Sequence, residues 1–234
     1  MNLEDLFNLK DLDSIKKYVD SVIMDIVNNT EHEDKVGFEH ILPHKGFIDS
    51  DTIITNVDST FQFTSNEYAY FFVSGLIKNN IHDLNTAMNC VYYFIRSYFG
   101  IDGEEKNREA LFAVNKEPYS IDILRGKNAA VCAERAAVAQ NLFSLLGIES
   151  YYIVGTLNGG AHAYNVIKYN DNYYLFDSSS DVPVYQDGKV KDWRAYAVKI
   201  SPEQFNSLLN AGGIELEGDR IYISSGKYNG SLTK

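Results

Sequence analysis

The chain has 234 residues, a length that favours a single domain with an N-terminal elaboration. Hydrophobic residues make up 45% of it and charged residues 23%, close to ordinary globular usage, so disordered, collagen-like and coiled-coil chains are excluded. The formal net charge is -11. This surplus of acids argues against nucleic acids and anionic membranes as partners, because both bind patches of Lys and Arg.

The cysteine count and the N-terminal residues predict a reducing, intracellular setting. Cys90 and Cys132 are too few for a disulfide framework. Residues 1–20 carry acids where a signal peptide has basic residues, and no apolar stretch approaches the roughly 20 residues of a membrane helix. We therefore expect a cytoplasmic protein that binds no membrane, and secretion without a cleavable signal is an alternative that the sequence leaves open.

The first hundred residues are predicted to be mainly helical. Apolar residues recur three and four positions apart over residues 3–27, which indicates one amphipathic helix or two short ones. Residues 36–65 are typical of loops with one strand at 51–57. Two more helices are expected over 66–99, the second ending at Gly100. Its apolar stripe consists of Leu84, Met88, Val91, Tyr92, Ile95 and Phe99.

A helix and three strands are predicted between residues 126 and 180. Residues 131–147 have a helical pattern that ends at a glycine, and three β-rich runs follow. Asn170 and Asp171 separate the last two runs, which we expect to form a hairpin. The domain assignment that follows is a helical part at residues 1–100, packed on a core at residues 101–234.

The C-terminal residues add a helix and a strand to this core. Ser201-Pro202-Glu203-Gln204 is typical of a helix start, since it combines a capping serine with proline in the first turn. Residues 218–223 are predicted to form a strand near the end of the domain.

Cys132 is predicted to lie in the first turn of the helix at 131–147, a position that suits a nucleophilic thiol. A helix N-terminus presents unpaired N–H groups and a partial positive charge, so it favours thiolate over thiol. His162 and Asp177 are candidates for the base and the carboxylate of a triad. In such a triad the imidazole moves the proton and the carboxylate fixes the imidazole tautomer.

The spacing of His162 and Asp177 allows them to meet across the predicted hairpin. With a loop of two or four residues centred on Asn170 and Asp171, both side chains project from one face as diagonal neighbours. Ser179 is then directly opposite His162. A three-residue loop would place His162 and Asp177 on opposite faces unless a bulge intervened.

The ordered combination of these residues resembles the core of the transglutaminase-like superfamily of papain-fold cysteine enzymes. Those enzymes begin their central helix with Cys, continue through a Leu-Gly-Ile turn into a strand, and place His at the start of one strand and Asp at the end of the next. The matching residues are Cys132, Ala136, Leu146-Gly147-Ile148, Gly155, His162-Ala163 and Phe176-Asp177. Val131 stands where the family often has Gly, and Tyr164 where Trp or Phe is common.

The resemblance implies an α+β papain-like fold, with a central Cys-bearing helix packed on an antiparallel sheet and a helical N-terminal extension. It implies an enzyme without a cofactor, in which Cys132, His162 and Asp177 act on an amide in a peptide, a protein or a small molecule. Peptidase, amidase, glutamine deamidase and transglutaminase-type reactions stay open. Two alternatives are an arylamine N-acetyltransferase-like enzyme, which shares a Cys-x-Glu like that ending at Glu134, and a catalytically idle binding module that retains the fold.

Three other residues near these motifs have simpler interpretations. Cys90 lies among aromatic residues of a helix and is predicted to pack in the core. Glu134 is predicted to complement the helix dipole, with a substrate contact as the lesser alternative. Asn128 is predicted to be a loop residue, and the backbone N–H of Cys132 is the better candidate donor for an oxyanion hole.

The remaining histidines do not predict a metal site. His40 and His44 are four positions apart, but Pro43 between them disfavours a helix that would present both. The glycines fit no phosphate-loop or dinucleotide spacing. We therefore expect no metal, and the oligomeric state cannot be read from the sequence.

Overall fold

A computed structural model of the chain describes residues 17, 21, 54–55, 61–63, 84–100, 103–114, 119–146 and 148–230. Of the helix predicted over residues 3–27 it describes Lys17 and Ser21, both helical and exposed. The loops predicted around His40 and His44 and the first helix predicted within 66–99 lie outside the described residues.

Helices and mainly antiparallel strands form the α+β architecture that the sequence predicts, and β2 and β3 are the parallel pair among the described strands. The helices are α1 (Leu84–Phe99), α2 (Glu105–Val114), α3 (Cys132–Leu145) and α4 (Pro202–Leu209), with a short 3₁₀ helix at Ile121–Leu124. The strands are β1 (Ile54–Thr55), β2 (Phe61–Phe63), β3 (Tyr119–Ser120), β4 (Glu149–Leu157), β5 (Gly160–Tyr169), β6 (Asn172–Gln186), β7 (Lys189–Ile200), β8 (Gly213–Leu216) and β9 (Arg220–Gly230).

The chain divides into two compact units between Val131 and Cys132. The first unit contains α1, α2, the 3₁₀ helix and the small sheet β1-β2-β3, together with residues 145–147. The second contains residues 132–144 and the chain from Ile148 onward. The predicted division between residues 100 and 101 falls inside the first unit.

Helix α1 of the first unit ends where the sequence predicts and has the predicted buried stripe. All six residues of the stripe are buried, and so are Cys90, Phe94 and Tyr98 on its other sides. Burial on several of its sides places α1 in the interior of the first unit. The helix ends at Gly100, whose φ of +96° and N–H bond to the Arg96 carbonyl form the predicted glycine cap.

Six strands of the second unit form one antiparallel sheet in the order β7-β6-β5-β4-β9-β8. The predicted hairpin is confirmed as β5–β6, and its loop has two residues, Asn170 and Asp171, because Tyr169 pairs with Asn172. Both loop residues have positive φ, the conformation that such tight hairpin turns require. This loop is the one that places His162 and Asp177 on the same face.

Helices α3 and α4 pack on opposite faces of this sheet. On one face the ring of Phe143 of α3 packs edge-on against the ring of Phe176, and the Asn165 side-chain amide donates a hydrogen bond to the Ala136 carbonyl at 3.0 Å. On the other face Phe205 of α4 stacks on Tyr173. Alternate residues of a strand point to opposite faces, so both layers follow from the alternation along β5 and β6. The buried cluster under α4 is Ile153, Tyr164, Val166, Leu175, Ile200, Phe205, Leu208, Ile214 and Tyr222.

Helix α4 begins as the sequence predicts. The Ser201 hydroxyl accepts from the Gln204 N–H at 3.2 Å, and the Gln204 side chain accepts from the Ser201 N–H at 2.8 Å. This reciprocal pair is a capping box, which satisfies two backbone donors at once, and Pro202 occupies the first turn.

Candidate active site

Cys132 is the first residue of α3 and is partly exposed. The predicted position of the thiol at the helix start is therefore the observed one. The first turn of a helix leaves its N–H groups without intrahelical partners, so an anion there is stabilised by the backbone. The helix start thus provides a local environment suited to a thiolate and to a developing oxyanion.

His162 and Asp177 form a direct hydrogen bond. Nε2 of His162 and Oδ2 of Asp177 are 2.8 Å apart, and the side chains are 11% and 1% exposed. The register explains the contact, because the two-residue loop places both on the face that also carries Tyr164. Pairing of β5 with β6 ends at Asn165 and Phe176, so His162 lies where the two strands have separated.

Asp177 accepts hydrogen bonds from four groups. Oδ2 accepts from His162, from the Tyr222 hydroxyl at 2.8 Å and from the Ser180 hydroxyl at 2.7 Å. Oδ1 accepts from the Ser179 N–H at 3.0 Å. Burial alone would raise the pKa of Asp177, but the hydrogen bond and charge of His162, with Ser180 and Tyr222, hold it below its ordinary value. The carboxylate is therefore ionised although it is buried.

The imidazole of His162 interacts with both neighbours in the proposed triad. Its Nε2 is occupied by Asp177, which leaves Nδ1 for the hydrogen bond with Cys132. Burial lowers the pKa of His162, but the hydrogen bonds and negative charges of Asp177 and Cys132 raise it to a net value of about 9. The contacts thus favour an imidazolium near neutral pH, held between a carboxylate and a sulfur.

A bulge in β6 supplies two of the donors to Asp177. Asp177 pairs with Tyr196 of β7, and the next paired residue of β6 is Asp181, which faces Ala195, so residues 178–180 are extra on the β6 side. A regular hairpin would place Ser179 directly opposite His162. In the structure the bulge instead directs the Ser179 N–H to Asp177.

Gly155 of the sequence motif has a structural explanation. It pairs with His162 on one side and with β9 on the other, where the register shifts between Val154 and Gly155. A Cβ at Gly155 would lie 1.8 Å from the carbonyl oxygen of Ile223. Only glycine permits this approach of β9, the strand that carries Tyr222.

Tyr222 is the site residue that the sequence analysis missed. It lies within the strand predicted at 218–223, but a strand prediction does not say which strands become neighbours. In the sheet order β4 and β5 separate β9 from β6, yet the Tyr222 hydroxyl reaches Asp177. The sheet is therefore strongly curled, and this curvature has no local signal in the sequence.

Asn128 and Cys90 lie in the environments that the sequence predicts, and Glu134 is buried in the first turn of α3. Asn128 is a loop residue of the first unit, as predicted. Its side chain lies over Gly100, and a Cβ added to Gly100 would lie 1.8 Å from Oδ1 of Asn128. Glu134 is 0% exposed, which leaves no surface for the alternative substrate contact. Cys90 is also 0% exposed, consistent with the predicted core position.

In the part of the chain that the structure describes, no group of three or more His, Cys, Asp or Glu side chains is arranged to hold a metal ion. None of the described helices combines the length and the apolar character needed to cross a membrane.

Comparison with known proteins leaves the site to be judged on its geometry. No protein-family model matches the chain, and no curated protein and no solved structure matches it either. The arrangement of Cys132, His162 and Asp177, with the groups that hold them, is therefore the basis for assigning a function.

Proposed function

We propose that the chain is a cysteine-dependent acyl-transfer enzyme that cleaves an amide bond through a thioester on Cys132. The observation that carries the proposal is the 2.8 Å hydrogen bond between His162 and the buried Asp177, on an imidazole that also interacts with the thiol. A carboxylate, an imidazole and a nucleophile in this order are the arrangement that activates nucleophiles in acyl transfer.

In the first half-reaction the Cys132 thiolate attacks the amide carbonyl carbon and forms a C–S bond. The carbonyl oxygen takes the negative charge, and the backbone N–H of Cys132 at the helix start is the candidate donor that stabilises it. The C–N bond then breaks as the imidazolium of His162 gives its Nδ1 proton to the leaving amine. The products are a thioester on Cys132 and a free amine.

In the second half-reaction water or a second amine attacks the thioester. Neutral His162 accepts a proton from that nucleophile, and the C–S bond breaks to restore the thiolate and the imidazolium. Asp177 keeps its charge throughout and holds Nε2, so Nδ1 remains directed at the sulfur. Hydrolysis and transfer to an amine use the same residues, and they differ in which nucleophile reaches the thioester.

The order of elements around the site supports the more specific papain-like, transglutaminase-like assignment that we propose for the second unit. A helix begins at Cys132, and antiparallel strands follow with His162 near the start of one and Asp177 on the next. The tail adds β7, α4, β8 and β9, and β9 brings Tyr222 to the carboxylate.

The proposal is tested by incubating the full chain with peptides and small molecules that carry primary or secondary amides. Release of amine is followed, and intact-mass spectrometry detects an acyl adduct. We expect turnover and a thioester adduct in the wild type and in Cys90→Ala, and neither in folded Cys132→Ala. Cys90→Ala is the matched control for general damage to the protein, because it also removes a thiol, but one that is buried in α1.

The same experiment separates the alternatives. A parallel arm with acetyl-coenzyme A and an arylamine reports an N-acetyltransferase-like activity as an acetyl adduct and an acetylated amine. Binding of a peptide without turnover, with equal behaviour of wild type and Cys132→Ala, would favour a binding module and contradict the proposed function.

A further inference from the structure

Tyr222 shares one oxygen of Asp177 with His162. Its hydroxyl donates to Oδ2 at 2.8 Å, and His162 Nε2 lies 2.8 Å from the same oxygen. Tyr222 is 0% exposed. Water therefore cannot replace its hydroxyl if it is removed, and its effect on the carboxylate is that of a fixed, desolvated dipole.

The direction of this effect follows from electrostatics. The hydroxyl hydrogen carries partial positive charge, so its presence at Oδ2 stabilises the carboxylate and weakens the attraction of Asp177 for a proton on His162. A general acid and base works best when its proton affinity matches the working pH, because it must release the proton as well as accept it. Without Tyr222 the imidazolium would hold its proton more tightly.

We propose that Tyr222 is a positioning residue that limits the proton affinity of His162 by donating to Asp177 Oδ2, an inference that rests on the proposed acyl-transfer function. It acts through Asp177 and touches no reacting atom. Its role is to let His162 release a proton to the leaving amine although a buried carboxylate lies beside it.

Ser180 offers an internal comparison for this effect. Its hydroxyl donates to the same Oδ2 at 2.7 Å, but the residue is only half-buried, and water can take the place of a lost hydroxyl. Loss of the Ser180 hydroxyl therefore acts in the same direction as loss of the Tyr222 hydroxyl, with a smaller effect.

Tyr164 provides a matched control for the ring. It is also 0% exposed, and its ring centroid is 6.2 Å from that of His162, compared with 6.3 Å for Tyr222. Among the described residues, however, its hydroxyl finds no hydrogen-bond partner. Conversion of each tyrosine to phenylalanine removes one hydroxyl from a ring near the same imidazole, and of the two hydroxyls the one on Tyr222 is bonded to Asp177.

The groups that face His162 and Asp177 come from several elements. Besides Ser180 of β6, they are Cys132 of α3, Tyr164 of β5 and Tyr222 of β9, with Tyr196 of β7 behind Tyr222 and Arg220 over the Tyr196 ring. Because the hydrogen bond and charge of Cys132 also raise the pKa of His162, the experiment uses a Cys132→Ala background, in which Asp177 is the charged partner that remains.

The test is the titration of the His162 ring by NMR in full-length protein, with the signal assigned by its loss in His162→Gln. Relative to the Cys132→Ala parent, Tyr222→Phe should raise the titration midpoint by about 0.5–1 pH unit. Ser180→Ala should raise it less, and Tyr164→Phe should leave it unchanged. Thermal unfolding of each variant verifies that it is folded.

A midpoint that stays the same or falls in Tyr222→Phe would overturn the inference, because a merely structural role loosens the Asp177–His162 contact and lowers the midpoint. An equal rise in Tyr164→Phe would also overturn it, since the ring environment would then be the cause. The readout needs no turnover, so failure of the proposed function would show as an absence of amide cleavage and not as a change in this titration.

Discussion

His162 Nε2 and Asp177 Oδ2 lie 2.8 Å apart although 15 positions separate the residues in the chain. The tight turn at Asn170 and Asp171 sets the register that brings them together, and the pairing of β5 with β6 ends at Asn165 and Phe176, just before the contact. The site therefore depends both on the regular part of the β5–β6 hairpin and on the point at which its strand pairing ends.

Asp177→Asn should reduce turnover by about 10²–10⁴-fold, with little change in substrate binding. The amide retains the shape of the carboxylate but loses its charge, and it can present an N–H to His162 Nε2 in place of an acceptor. The imidazole would then hold the wrong tautomer. Steady-state kinetics on an amide substrate that the wild type turns over measure the effect.

Asp181→Asn is the control for that substitution. Asp181 lies beyond the bulge and pairs with Ala195 of β7, outside the contacts that reach His162. We expect its kcat to stay within about twofold of the wild type. A severe loss in Asp181→Asn together with a silent Asp177→Asn would show that the assigned carboxylate is wrong.

The stability of the protein should fall as the pH rises from about 6.5 to about 9. The pKa of His162 is raised from its ordinary 6.5 to about 9, so the folded state binds a proton more tightly than the unfolded state. That contribution is fully present below pH 6.5 and is lost as the pH passes through about 9.

Urea unfolding at pH 6 and at pH 9.5 measures this contribution, with His162→Gln as the reference. Glutamine cannot titrate, so the variant should lose less stability than the wild type between the two pH values. Parallel declines in both proteins would mean that other groups cause the pH dependence and that the Asp177–His162 pair contributes nothing to it.

The two buried tyrosine hydroxyls should differ in their effect on stability. Tyr222→Phe removes a donor to a buried carboxylate and should lower the free energy of unfolding by about 1–3 kcal/mol. Tyr164→Phe removes a buried hydroxyl for which the described residues offer no partner, so it should be neutral or slightly stabilising. Chemical unfolding at one pH distinguishes them, and the reverse order would contradict the hydrogen-bond assignment.

Local patterns in the sequence predict much of this fold. The stripe in α1 and its glycine cap, the helix that starts at Cys132, the turn at Asn170 and the capping box at Ser201 all depend on neighbours a few residues apart. Such signals reflect intrinsic backbone preferences and the burial of one face. For the same reason the shared face of His162 and Asp177 could be inferred from the loop length alone.

The features that the sequence analysis missed depend on longer-range relations. Strand β7 was not predicted, although the Asp187-Gly188 turn between two β-rich segments is a hairpin signal that was available. The bulge after Asp177 and the curl that brings in Tyr222 are different, since they are settled by how six strands pack together. No pattern of a few residues specifies them.

The most direct test of the central claim is the rate at which iodoacetamide alkylates Cys132 at pH 7, followed by peptide mass spectrometry. Cys90 is 0% exposed and serves as the internal control, which should stay unmodified in the native protein. If His162 and Asp177 activate Cys132, its alkylation should slow by about tenfold or more in folded His162→Ala, because the imidazolium that stabilises the thiolate is gone. Equal rates in the wild type and in His162→Ala would contradict the account.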